Sequence, residues 1–133
     1  MSGSLEALCV AAAGGIGAAC RHLIDTSLPE RIRTEFPWGI MLVNLSGSLL
    51  LGILVGLATG WAGQPIAVNS LMHLFSVASI GLLGGYTTFS AVSFDSVQLL
   101  IAGRYKAALF NGPGMLIIAV SLAVVGVLIG RVW

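Results

Sequence analysis

Charge is what this sequence has least of. It carries six Lys/Arg and five Asp/Glu in 133 residues, 8% of the chain, where soluble domains carry about 25%. So few charges cannot cover the surface of a water-soluble fold, whereas lipid tails solvate apolar side chains directly. The net charge of +1 leaves no basic patch, which excludes the usual nucleic-acid-binding surface. Cysteine is nearly absent too. Cys9 and Cys20 lie on one predicted helix, where eleven residues of rise place them roughly 16 Å apart, too far for a disulfide. They read as small apolar fillers, and no zinc-ligand spacing is present. The N-terminus has no basic start and Gly14-Gly15 interrupts its apolar stretch, so no cleavable signal peptide is expected.

The charges that exist are clustered. Residues 36–94 contain no Asp, Glu, Lys or Arg, and neither do residues 107–130. A helix needs roughly 20 mainly apolar residues to cross a bilayer about 30 Å thick. The pattern predicts an all-α membrane protein, a single transmembrane domain over 1–133. Its spans are expected at about 5–24, 38–61, 66–101 and 107–131. A polar loop over 25–37, a turn over 60–65 and a short polar turn over 103–106 connect them. Trp38, Trp61 and Trp133 are placed as interfacial anchors.

The third span is too long. Thirty-six residues of unbroken helix extend about 54 Å, and the stretch contains Gly84-Gly85-Tyr86-Thr87-Thr88, a poor helix interior. The reading is a helix broken near mid-membrane, where open backbone survives only if buried in protein, lining a wet cavity or binding an ion. The bland alternative is a glycine-lined contact between helices. In the second span Ser48, Gly52, Gly56 and Gly60 recur every four residues, a stripe for close helix approach.

Few polar side chains lie inside the spans. Asn44 reads either as interhelical glue or as an uncharged amide donor facing an anion. Thr87, Thr88, Ser90 and Ser93 follow the break, where such hydroxyls can back-bond to their own helix. Phe89 and Phe94 pack in a core or turn their positive ring edges to an anion. Arg21 snorkels or makes an inter-subunit contact, and His22 is exposed. No central carboxylate marks proton-coupled transport. No nucleophile–base pair or metal cluster marks an enzyme, so the chain is expected not to be one.

Four spans put both termini on one side with Arg131 alone. Arg21, Arg31, Arg33, Arg104 and Lys106 lie on the other side. The positive-inside rule then places the charged loops in the cytoplasm and both termini outside a multi-pass cell membrane protein, in one fixed orientation.

Three stretches resemble the CrcB/Fluc fluoride channels. They are Gly14-Gly15-Ile16-Gly17-Ala18-Ala19-Cys20-Arg21, Phe36-Pro37-Trp38-Gly39 with Val43-Asn44-Leu45-Ser46-Gly47-Ser48 and Leu51-Gly52, and Gly84-Gly85-Tyr86-Thr87-Thr88-Phe89-Ser90. Order and spacing match from about Gly14 to Phe94. The resemblance implies passive export of fluoride from the cytoplasm, relieving its toxicity, through two pores flanking an antiparallel (inverted) dimer. It implies one structural sodium ion, not transported, on the backbone carbonyls of Gly84 and Thr87. Asn44, Phe89, Ser90 and position 92 are implied to line the pore. Here the second phenylalanine position is Val92, with Ala91 before it, and the fourth span matches only loosely. A missing ring and a biased charge distribution lead to the expectation of a heterodimer with a different family member. A small-multidrug-type proton-coupled exporter, requiring Glu6, and a non-conducting structural subunit are the alternatives.

Overall fold

The computed structural model describes residues 3–60 and 68–132; Trp61, Trp133 and the turn expected at 60–65 lie wholly or partly outside this range. Four helices are long and apolar enough to cross a membrane: Gly3–Ser27, Trp38–Thr59, Met72–Ile101 and Tyr105–Val132. No strand occurs among the described residues. Large apolar side chains such as Leu8, Ile16, Ile117 and Leu128 stand exposed on the outside, where a bilayer would solvate them.

The first helix, α1 (Gly3–Ser27), outruns its expected span. Thr26 and Ser27 donate their hydroxyls to the carbonyls of His22 and Ile24, both at 2.7 Å, which supports its last turn. Pro29 then ends it, because the residue before proline is pushed out of the α region. The loop expected over 25–37 is mostly helical: a short α2 (Glu30–Glu35) occupies it. Arg33 reaches back to Asp25 at 3.8 Å.

The second crossing helix, α3 (Trp38–Gly60), packs along the last one, α8 (Met115–Val132). This contact uses the small-residue stripe. A side chain added at Gly52 would strike the backbone of Ala123, and one at Gly126 would strike that of Leu49. The two stripes interlock, so the backbones approach as closely as glycine allows.

The third span is α4 (Val68–Ser76), a π-helical stretch Val77–Leu83, one helical turn α5 (Gly84–Tyr86), and α6 (Phe89–Ile101). The break falls at Thr87–Thr88, both in extended conformation (φ −81°, ψ 157°; φ −153°, ψ 124°). The glycines before it remain helical and serve another purpose. Gly17, Gly81 and Gly85 bring α1 against this segment: a Cβ on Gly17 would lie 2.8 Å from the Tyr86 nitrogen. Both sequence readings therefore hold, divided between neighbouring residues. The glycines make the close contact, and the β-branched threonines, suited to extended backbone, make the break.

After α6 the chain turns at Gly103, whose φ of 73° is the left-handed cap that favours glycine. Arg104 N–H closes back on Leu99 carbonyl at 2.8 Å. A short α7 (Tyr105–Leu109) leads through a second π-helical stretch, Phe110–Gly114, into α8. Pro113 sits in that wide turn, so it loosens the last helix without ending it.

Candidate functional site

Breaking a helix in a membrane exposes backbone groups that cost several kcal/mol each if left unpaired. Asn44 meets that cost at Thr88. Its Oδ1 accepts from Thr88 N–H at 2.8 Å, and its Nδ2 donates to Thr88 carbonyl at 3.1 Å. The second Nδ2 hydrogen goes to Ile40 carbonyl, one turn back on α3, at 3.0 Å. The side chain imitates a strand partner for a single residue. Asn44 is only 7% exposed, so these bonds are sheltered from solvent.

Two further contacts grip the break. Ser46 and Tyr86 share a hydroxyl contact of 3.0 Å. Arg21 directs Nη1 to Thr87 carbonyl at 3.4 Å. His22 is exposed, as expected. Thr88 also caps α6: its Oγ1 accepts from Ala91 N–H at 3.3 Å.

A groove of about 280 Å³ opens beside the break. Its polar side is made by Asn44, Ser48, Gly84, Thr87 and Thr88, with Phe89 at the edge. Its other wall is apolar and includes Leu83, Met115, Leu116 and Ala119. Phe89 is 78% exposed and Phe94 also stands out from the surface, so neither ring packs in this chain's core. Ser90 lies next to the groove, with its hydroxyl 3.1 Å from that of Thr88.

Val92, which the resemblance implies to line the pore, is 2% exposed in this chain and packs among Phe36, Met41, Leu99, Ala108 and Met115. The break restarts the helix at Phe89, and the new phase turns position 92 inward. The valine there is a packing residue.

The sequence reading also assigned no role to Asn111. This side chain is fully buried and donates to Val92 carbonyl at 3.3 Å and Ser96 Oγ at 3.0 Å. Its Oδ1 has no partner among the described residues. A carboxamide inside the charge-free run 107–130 was the available signal.

The break suits a hard cation on one criterion. In a continuous helix Thr88 N–H would close on Gly84 carbonyl; here Asn44 takes that hydrogen. Gly84 is exposed and lines the groove with Thr87. Thr87 carbonyl also accepts from Arg21, and two carbonyls are fewer than the oxygen ligands a hard cation takes, so a cation here would need further oxygens from elsewhere. No cluster of three or more His, Cys, Asp or Glu exists among the described residues.

A family model described as CrcB-like protein, Camphor Resistance (CrcB), matches residues 8–130. The chain belongs to this family. A Leifsonia xyli subsp. xyli protein named fluoride-specific ion channel FluC 1 is 37% identical over 126 residues, covering 95% of this chain and 87% of its own length. Nitrobacter hamburgensis has two such relatives, FluC 1 and FluC 2. They are 36% and 38% identical, over 94% and 92% of this chain and 94% and 91% of their own lengths. Membership in the CrcB family fits the geometry: the motif residues of three helices converge on one break.

Proposed function

We propose that this CrcB family member is a subunit of a fluoride-specific channel that lets fluoride leave the cytoplasm passively and so relieves its toxicity. The observation that carries the reading is the groove where Phe89 stands exposed beside the Thr87–Thr88 break. An anion crossing a bilayer needs favourable contacts too weak to trap it. Ring edges and hydroxyls provide these without a fixed positive charge. Phe89, Thr88 and Ser90 supply such contacts, and Asn44 holds them in place while lining the groove.

In this reading the groove becomes a pore only against a second subunit packed in the inverted orientation. On this side the carbonyls of Gly84 and Thr87 would hold a structural sodium ion, which would supply a fixed positive charge to the broken helix and would not be transported. Both termini face outward, since five of the six Lys/Arg flank the opposite membrane face. That bias favours one orientation, and therefore a partner that is a different family member. Val92 contributes nothing to this conclusion, because it is buried. The Nitrobacter hamburgensis pair is consistent with two members serving one cell.

The apolar wall of Met115, Leu116 and Ala119 favours a second reading, in which this chain folds and supports the dimer while its own groove does not conduct. Growth separates the two. The chain, with its partner, is expected to restore fluoride tolerance to cells lacking a fluoride channel, and Phe89→Leu to abolish the rescue. Rescue undiminished by Phe89→Leu would favour the supporting role.

A further inference from the structure

Asn44 has a task besides lining the groove. Its carboxamide pairs with both backbone groups of Thr88 and is anchored to its own helix through Ile40. The Thr88 N–H is the group that would otherwise close the next helical bond on the Gly84 carbonyl. Whether that carbonyl faces the groove or is consumed inside the helix is thus decided by what residue 44 offers Thr88.

We propose that Asn44 is a positioning residue that, by capturing the Thr88 N–H, keeps the Gly84 carbonyl open to a sodium ion. This rests on the sodium reading given above. Asn44 never touches the ion; it acts through Thr88. The part that matters is an acceptor at Oδ1. An alanine offers none, and the freed N–H turns back to Gly84, because an unpaired N–H in a membrane interior costs too much to persist. An aspartate offers an acceptor in the same place. The Ser46–Tyr86 contact grips the break elsewhere and leaves Thr88 untouched.

The test is the thermal unfolding midpoint of the purified, intact channel in detergent, in sodium chloride against potassium chloride of equal strength. A ligand that binds only the folded state raises this midpoint. The difference between the two salts cancels unspecific attraction to a carboxylate. Wild type and Ser46→Ala are expected to melt higher in sodium. Asn44→Ala is expected to lose that difference, and Asn44→Asp to keep it.

A folded Asn44→Ala channel with an undiminished sodium shift overturns the proposal. If the alanine variant does not fold, Asn44→Asp decides: a folded aspartate variant without the shift overturns it equally. A wild type that shows no sodium shift removes the cation reading itself, and this inference with it. That failure is visible before any variant is made.

Discussion

Both amide hydrogens of Asn44 are engaged by carbonyls, while Val92, four residues past the break, lies in a hydrophobic cluster. These two environments predict different consequences of substitution. Val92→Phe adds a ring where there is no room, and overpacking a core costs about 1–3 kcal/mol. A lower unfolding midpoint with no gain in fluoride flux is expected; a gain in flux at unchanged stability would return position 92 to the pore. Tyr86→Phe removes one hydroxyl contact and nothing else. Side-chain bonds between membrane helices average about 0.6 kcal/mol, so a small destabilisation is expected in chemical denaturation. Glu6 pairs with His73 at 2.7 Å, which ties α1 to the start of the third span. Glu6→Gln is expected to weaken that tie and leave ion flux intact. Loss of all transport in the folded variant would revive the proton-coupled exporter.

At the scale of elements, the α3–α8 contact is the most extensive among the described residues and depends on interlocked glycines. Gly126→Val would drive a branched side chain into the backbone of Leu49 and Gly52. The expected outcome is a separated or unfolded pair, seen as loss of the folded species on size-exclusion chromatography. The four crossing helices were legible because uncharged runs of that length have few alternatives. The break was legible from Gly84-Gly85-Tyr86-Thr87-Thr88, but not its residue. Glycine weakens a helix and also permits close approach, and only packing against α1 shows that the second use prevails. Asn44 was legible as important; its pairing with Thr88 was not, because that depends on how far α3 lies from the break. The burial of Val92 was not legible, because the break resets the helical phase. The helical part of the 25–37 loop was hidden by its prolines, which sit at the borders of α2.

For the whole molecule, the placement of cations predicts one orientation. A cysteine introduced at Glu30, with Cys9 and Cys20 replaced by alanine, is expected to react with an impermeant reagent only from the cytoplasmic face. Replacing Arg31, Arg33 and Lys106 with glutamine removes most of the bias, and labelling from both faces should then appear. The central claim is that this chain, with an inverted partner, conducts fluoride selectively. Its most direct test is efflux from liposomes loaded with fluoride or chloride, for the chain alone and co-reconstituted with a second CrcB family member. The account predicts fluoride efflux from the mixture, little from the chain alone, and no matching chloride efflux. Equal passage of both ions, or no fluoride efflux from either preparation of folded protein, would contradict it.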